Sequence, residues 1–465
     1  MTPASERGTF LCRRLARLGL GAILGPVVVV VTLAGCGVTD SVDTVTGWFG
    51  NASKPPLPGD RISVLRMERK VEPDPRLADL AVTLPAAVRN DSWPQAGGQP
   101  NHAMGHLALA SDPHQVWKSD IGSGSSRTLR LIGQPVVADG RVFAMDAASQ
   151  VTALEEQGGR RLWQADLVPE NERGDAMSGA VAFADGRLFA ATGYAEVLAL
   201  DPGTGAILWR KRVPGPVRGA PTVVKGRVMV VTLDNQTVAL SADDGQQVWS
   251  HTGILETAGL LGAVSPASDG NVVVVPYSSG ELFALRLENG RPAWGENLAA
   301  IRRIGAITGL ADIRGMPVID RGMVLAVSHS GRTVAIDQRI GARMWEQELG
   351  GVDTPWLAGD FVFLLSNDNE VVALTRNGGR VRWVTPLGRF ENEKKRKDSI
   401  QWRGPVLAGE RLWLVGSTEE LVGLAPETGD VVTRIRLPGP AMISPVVANG
   451  TLFVLMDNGT LVAFR

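Results

Sequence analysis

The sequence predicts an all-β chain: an eight-bladed β-propeller of four-stranded antiparallel blades, closed by pairing of its N- and C-terminal strands. Three observations carry this prediction. First, Gly-x-x-x-Trp recurs at Gly159/Trp163, Gly205/Trp209, Gly245/Trp249, Gly290/Trp294, Gly341/Trp345 and Gly379/Trp383. Second, the slots that start at Trp117 are spaced by 46, 46, 40, 45, 51, 38 and 50 residues, the range of a propeller blade. Third, the two ends of the array are incomplete in complementary ways.

Each unit reads as four short strands separated by Gly, Asp or Asn turns. In the first, Pro135–Ala144 holds two strands around Asp139-Gly140, Val151–Leu154 a third, and Arg161–Trp163 a fourth. Ala199-Leu200, Ala239-Leu240, Ala284-Leu285, Ala335-Ile336, Ala373-Leu374 and Gly423-Leu424 mark the third strand of the later units. The seventh unit is degenerate, with Thr433 in the Trp slot after Gly429. Seven complete units run from Gln134 to Leu437. Ser444–Phe464 supplies three strands of another, and Val116-Trp117 an orphan fourth. Three plus one makes an eighth blade and removes the open edges of the array. The slot residues Trp117, Trp163, Trp209, Trp249, Trp294, Trp345 and Trp383 are therefore read as structural, filling the gap between neighbouring blades rather than forming a substrate platform.

The chain divides into residues 1–35, 36–111 and the propeller at 112–465. Arg7, Arg13, Arg14 and Arg17 precede an apolar run from Leu18 to Ala34, as in a secretory signal. Residues 36–111 lack sustained periodicity and contain Pro55-Pro56-Leu57-Pro58-Gly59, the signature of an extended tether. Truncation anywhere before residue 112 is accordingly expected to be tolerated. Trp93 is expected to dock on the later domain. His102 and His106 are read as polar loop residues, since Pro100 and Gly105 break the helix that a metal pair would need.

Composition narrows the function. A formal charge of -1 argues against a nucleic-acid partner. The two cysteines, Cys12 and Cys36, exclude a disulfide framework and a Cys-rich metal site. No Ser/His/Asp arrangement, phosphate loop or pair of catalytic carboxylates is evident. Lys394-Lys395-Arg396-Lys397 reads as a solvated inter-strand loop.

Two resemblances extend this reading. Leu33-Ala34-Gly35-Cys36 resembles a bacterial lipobox. This implies cleavage before Cys36, acylation of Cys36 and, with Gly37 in place of Asp, an outer-membrane lipoprotein facing the periplasm. Ala199-Leu200-Asp201-x-x-Thr204-Gly205-x-x-x-Trp209 resembles the repeat named for pyrroloquinoline quinone. That repeat is shared by the quinoprotein dehydrogenases and by the B-lipoprotein family of the outer-membrane β-barrel assembly machinery. Ser92-Trp93-Pro94 with Gly97-Gly98 is similar to the dehydrogenases' entry segment. Short loops and the lack of adjacent cysteines favour the assembly family, which implies a non-catalytic scaffold without cofactor. Its implied partners are the central insertase subunit and unfolded outer-membrane clients. By that resemblance Val217-Arg218-Gly219-Ala220-Pro221 and the apolar loop Ile301–Pro317 are the partner-binding loops. Val217, Arg218, Ile307, Leu310 and Asp312 are their candidate contacts, and Arg314 stands where the family carries an acid. Ile301, Ile304, Ile307, Leu310 and Ile313, spaced at three, suggest a helical turn or an interface patch. The alternatives are a quinone-dependent dehydrogenase or another periplasmic propeller lipoprotein.

Overall fold

The computed structural model describes residues 71–465 apart from Asp175, Arg218, 257–263 and 300–310. Cys36 and the rest of 1–70 lie outside the described residues. One compact unit spans Arg69–Arg465. It holds eight four-stranded antiparallel sheets. In chain order, blade 1 spans Val136–Asp166, blade 2 Ala180–Arg212, blade 3 Thr222–Thr252 and blade 4 Ala267–Asn297. Blade 5 spans Val318–Gln347, blade 6 Trp356–Pro386 and blade 7 Trp402–Arg436. Blade 8 joins Val446–Phe464 to Gln115–Asp120, with Trp117 opposite Ala463. That is the register of Ala153 with Trp163 and Ala284 with Trp294, so the closing strand occupies the same position as every other fourth strand. Among the described residues the only helix is the single turn Pro75–Leu77.

The slot tryptophans act between blades. Each indole Nε1 donates to a backbone carbonyl in the next blade: Trp117 to Glu156, Trp163 to Pro202, Trp209 to Ala242, Trp249 to Leu287, Trp294 to Gln338, Trp345 to Arg376 and Trp383 to Pro426. The ring lies flat against the glycine of that next blade's third turn. A Cβ at Gly290, where φ is +69°, would stand 2.6 Å from Cε3 of Trp249. The motif's glycine thus receives the tryptophan of the preceding unit, not its own. The degenerate slot has a reason in this geometry. Blade 8 has no turn between its third and fourth strands, because its fourth strand is Gln115–Asp120 from far upstream, with Arg465 and His114 exchanging backbone hydrogen bonds of 3.0 Å. Blade 7 therefore faces no receiving glycine, and Thr433 stands where a ring would have no seat.

The ring has two faces. The turn face carries the first-to-second and third-to-fourth strand turns. The connection face carries the second-to-third turns and the links from blade to blade.

The expected boundary at residue 112 is corrected by the structure: residues 71–111 belong to the compact unit. Residues 90–109 form a hub laid against the inner strands. Trp93 exchanges backbone hydrogen bonds with Val137 of blade 1, at 2.8 and 2.9 Å. The Pro94 carbonyl accepts from Phe183 N–H of blade 2. The Gln95 amide donates to Val223 O and accepts from Val223 N–H in blade 3. Pro100 O accepts from Ser268 in blade 4 and Asn101 O from Ile319 in blade 5. Trp356 Nε1 of blade 6 donates to Gly105 O at 2.7 Å. Leu107 pairs with Leu407 and Gly409 in blade 7, and Asn90 with Asn449 and Val447 in blade 8. The inner strand of a propeller is an edge with unpaired backbone groups, and the hub satisfies part of it in seven blades, while in blade 6 the contact runs through the Trp356 side chain. Trp93 is docked, as expected from sequence, at 1% exposure.

His102 and His106 are buried parts of this hub rather than polar loop residues. The Nδ1 of His102 hydrogen-bonds Pro317 O at 2.7 Å, and that of His106 bonds Pro85 O at 2.8 Å. Burial pushes the His102 imidazole down to about 4, against the pull of the Pro317 carbonyl. Its neutral form is the one that folds. Above the unfolded value of about 6.5 this costs nothing. As pH falls below 6.5 the unfolded chain takes up a proton that the folded chain refuses, and stability drops until about pH 4. We expect on the order of 3 kcal/mol of acid sensitivity from this group. Urea unfolding at pH 7 and pH 4.5 should show a smaller pH difference for His102→Gln than for the parent chain. An unchanged difference would refute it.

Candidate partner face

Both loops expected to bind a partner reach the connection face. The link from blade 2 to blade 3 is pinned there by a bridge between Val217 and Thr232, and by Leu233 N–H donating to Pro216 O at 2.8 Å. The link from blade 4 to blade 5 is pinned by His329 N–H donating to Asp312 O at 2.9 Å. Their inner ends meet: Ala220 of the first and Met316 of the second pack with Ala96 of the hub and Ala180. The structure thus brings the two predicted loops together at the axis.

The individual residues divide. Val217 and Asp312 are buried, at 5% and 0% exposure. Asp312 is therefore not a surface contact, and both residues hold their loops in place. The reason is local: Ile313 enters the core between blades 4 and 5 and takes Asp312 in with it. Arg218, Ile307 and Leu310 lie outside the described residues, as does most of the apolar run spaced at three. The slot tryptophans are away from this face's centre, seated between blades as described.

Sequence reasoning missed the cavity at the centre. The hub closes the axis on the turn-face side, and the residues just before the inner strands line a space of about 90 Å³ above it. Trp93 and Trp356 stack in its wall, rings 6.3 Å apart. Asp353, Arg314 and Arg403 are the charged lining, with Arg403 Nη1 3.6 Å from Asp353 Oδ2. Burial raises the Asp353 carboxyl, and the two guanidinium groups oppose that shift. The one sequence signal for this site was Trp93 with Gly97-Gly98. A Cβ at Gly97 would fall 2.7 Å from the His102 ring, so the glycine is what lets the hub fold back on itself.

The repeat raises the question of a quinone cofactor at this axis. A tricyclic quinone needs a pocket of at least about 300 Å³, and the axial space is far smaller. Among the described residues no group of three His, Cys, Asp or Glu side chains is placed to hold a metal ion. The residues present do not fit that cofactor.

The third feature of this face is the link from blade 6 to blade 7. It forms an exposed hairpin, Phe390–Asn392 paired with Lys397–Ser399, rather than the plain loop expected.

Comparison with known proteins agrees with this architecture. The solved structure of BamB from Moraxella catarrhalis superposes with a TM-score of 0.64 at 20% identity, covering 76% of this chain and all of that one. The quinohemoprotein alcohol dehydrogenase of Comamonas testosteroni superposes at 0.63 with 14% identity, covering 81% of each chain. At these identities both likenesses speak for the fold alone. Among curated sequences, the outer membrane protein assembly factor BamB of Yersinia pestis is 26% identical over 254 residues, 54% of this chain and 62% of that protein. That of Escherichia coli is 27% identical over 205 residues, 43% of this chain and 50% of that protein. The chain thus spans between half and under two thirds of these relatives. The sequence profile of the family described as outer membrane protein assembly factor BamB matches residues 105–172, 147–385 and 387–465. With the profile running through all eight blades, the chain belongs to the BamB family of outer membrane protein assembly factors.

Proposed function

We propose that this protein is a non-catalytic, lipid-anchored scaffold on the periplasmic side of the outer membrane. It docks on the central insertase subunit of the β-barrel assembly machinery and aids the insertion of unfolded outer-membrane clients. The observation that carries the reading is the connection face, where two links from different blades are pinned to neighbouring turns and meet at the axis. Link segments pinned to the ring at Val217 and Asp312 have the ordering cost of those positions already met in folding, so less is lost on binding. The axial residues favour a scaffold over a quinone-dependent enzyme, since the space they line does not fit that cofactor. Cys36 supplies the anchor: acyl chains bury enough hydrocarbon to hold a soluble ring at a bilayer. The outer strands offer a second use. They are sheet edges that can accept an extended client segment by strand addition, and Val116, Leu208, Val248, Met344 and Val432 expose apolar side chains along them.

One experiment tests the reading. The full chain is expressed with labelled fatty acid, and membranes are solubilised and the chain recovered. Label is expected on the parent chain and not on Cys36→Ala. The insertase subunit is expected to co-purify, and Arg218→Glu to weaken it by about 2 kcal/mol, roughly 30-fold, the cost of losing an interface anchor. The melting temperature should not move. Absence of the insertase from the parent pull-down would overturn the proposal.

A further inference from the structure

The blade 6 to blade 7 hairpin is built more firmly than a charged loop requires. Its base is clamped to the adjoining turn of blade 6. The Asn369 amide donates to both Gly388 O and Ile400 O, at 3.0 and 2.8 Å. Arg389 pairs with Asp368 at 2.8 Å, and Ile400 N–H donates to Arg389 O. Its tip is fixed as well. Glu393, itself exposed, folds back and accepts the backbone N–H groups of Arg389 and Phe390, which lowers its carboxyl below the usual range. Lys395 N–H donates to Asn392 Oδ1. Of the two acids that flank the run, Glu393 is thereby committed to the hairpin's own backbone, while Asp398 on the other side stays exposed. Lys394, Lys395, Arg396 and Lys397 are left exposed at the tip, and among the described residues none of them forms an ion pair within 4 Å.

Four adjacent cations repel one another, and that repulsion is relieved by a counter-surface. A flexible tail would let them spread apart; here the pairing of Asn392 with Lys397 holds them together. Position selects the class of counter-surface. The hairpin stands on the connection face, with the Val217 and Asp312 links. The incoming chain runs elsewhere: Asp74 N–H bonds Val381 O on the outer strand of blade 6, and Gly359 on the turn face lies against Pro85. Among the described residues, Asp74 and Pro85 lie along the outer strand and the turn face of blade 6, and the hairpin shares the connection face with the two links that the assembly reading gives to a protein partner.

We infer that the Phe390–Ser399 hairpin is an electrostatic docking element for an acidic surface of the protein partner on the connection face. The inference rests on the assembly reading above. The cations steer encounter and set orientation, so their removal acts on the association rate and its salt dependence.

The test places a photocrosslinking residue at Glu391 or, separately, at Pro216 in the full chain in cells. Both are exposed. We expect an adduct with the insertase subunit from each site. The Glu391 adduct should fall at least tenfold when Lys394, Lys395, Arg396 and Lys397 are all changed to Glu, with the melting temperature unchanged. An adduct from Pro216 but none from Glu391, or a Glu391 adduct that survives the reversal, overturns the inference and leaves the assembly reading standing. Flotation with phosphatidylglycerol vesicles, lost on reversal while the adduct persists, would give the hairpin to the membrane instead. No insertase adduct from either site ends both readings.

Discussion

Trp93→Ala should destabilise the whole ring by about 3–5 kcal/mol, the usual cost of removing a buried aromatic from a packed core. The residue lies more than 40 positions before the first complete blade, yet its side chain is 1% exposed and belongs to the same core cluster as Leu107, Val137, Trp356 and Leu407. Its backbone also pairs with the inner strand of blade 1 in both directions. Urea unfolding followed by tryptophan fluorescence and by circular dichroism should report one shared transition, moved to lower urea. A parallel deletion of residues 71–111 should cost more, because every inner strand loses a partner. Were Trp93→Ala to unfold with the parent's midpoint, the hub would be ornament and the tether reading of this segment would be restored.

The second large effect is expected at the glycine turns. Gly290→Ala and Gly140→Ala place the same methyl group at the same backbone angle, φ +69°. At Gly140 nothing lies within 4 Å of the new Cβ. The cost there is only that of a left-handed alanine, about 1–2 kcal/mol. At Gly290 the methyl meets the Trp249 ring at 2.6 Å. That ring cannot simply slide, because its Nε1 is held by Leu287 O at 2.8 Å. Overpacking adds about 1–3 kcal/mol, so Gly290→Ala should lose about 2–5 kcal/mol in all. Chemical denaturation of the two variants side by side separates strain from docking. Equal losses would show that the tryptophans do not rest on these turns.

The blades were legible because their signal is chemical and periodic. Gly, Trp and the Ala facing it recur together, and each is demanded by one close contact: the Ala opposite the ring and the Gly beneath it. Blade number and the closing strand followed from counting what was missing at each end. The pairing partner of each motif glycine was not legible, since a repeat places the glycine of its own unit and of the next at equivalent positions. The hub was not legible for a different reason. Its bonds run mostly through backbone carbonyls and amides, which leave no side-chain period, and residues 90–109 bond residues as far as 358 positions away. The hairpin was read only as charge, because what makes it firm is Asn369 in another turn. For the partner loops, sequence indicated two links whose described ends lie on one face. Burial of Val217 and Asp312 could not be read, because a charged residue beside a buried isoleucine gives no sign of which of the two sets the loop's path.

The hub also bears on how the ring knows its own size. Its contacts are collinear with the blades: Trp93, Pro94, Gln95, Pro100, Asn101, Gly105 and Leu107 meet blades 1 through 7 in order, and Asn90, just upstream, meets blade 8 beside blade 1. A repeat, taken by itself, carries little ordinal information, since blades 1 to 6 all offer their neighbours the same wedge and the same docking ring. The hub supplies it, as a gauge with eight stations laid out in reading order. A chain with one unit duplicated would keep every inter-blade contact intact and still leave a blade without a station. Blade identity, which the repeats erase, is written in a short stretch of sequence that is not a repeat at all.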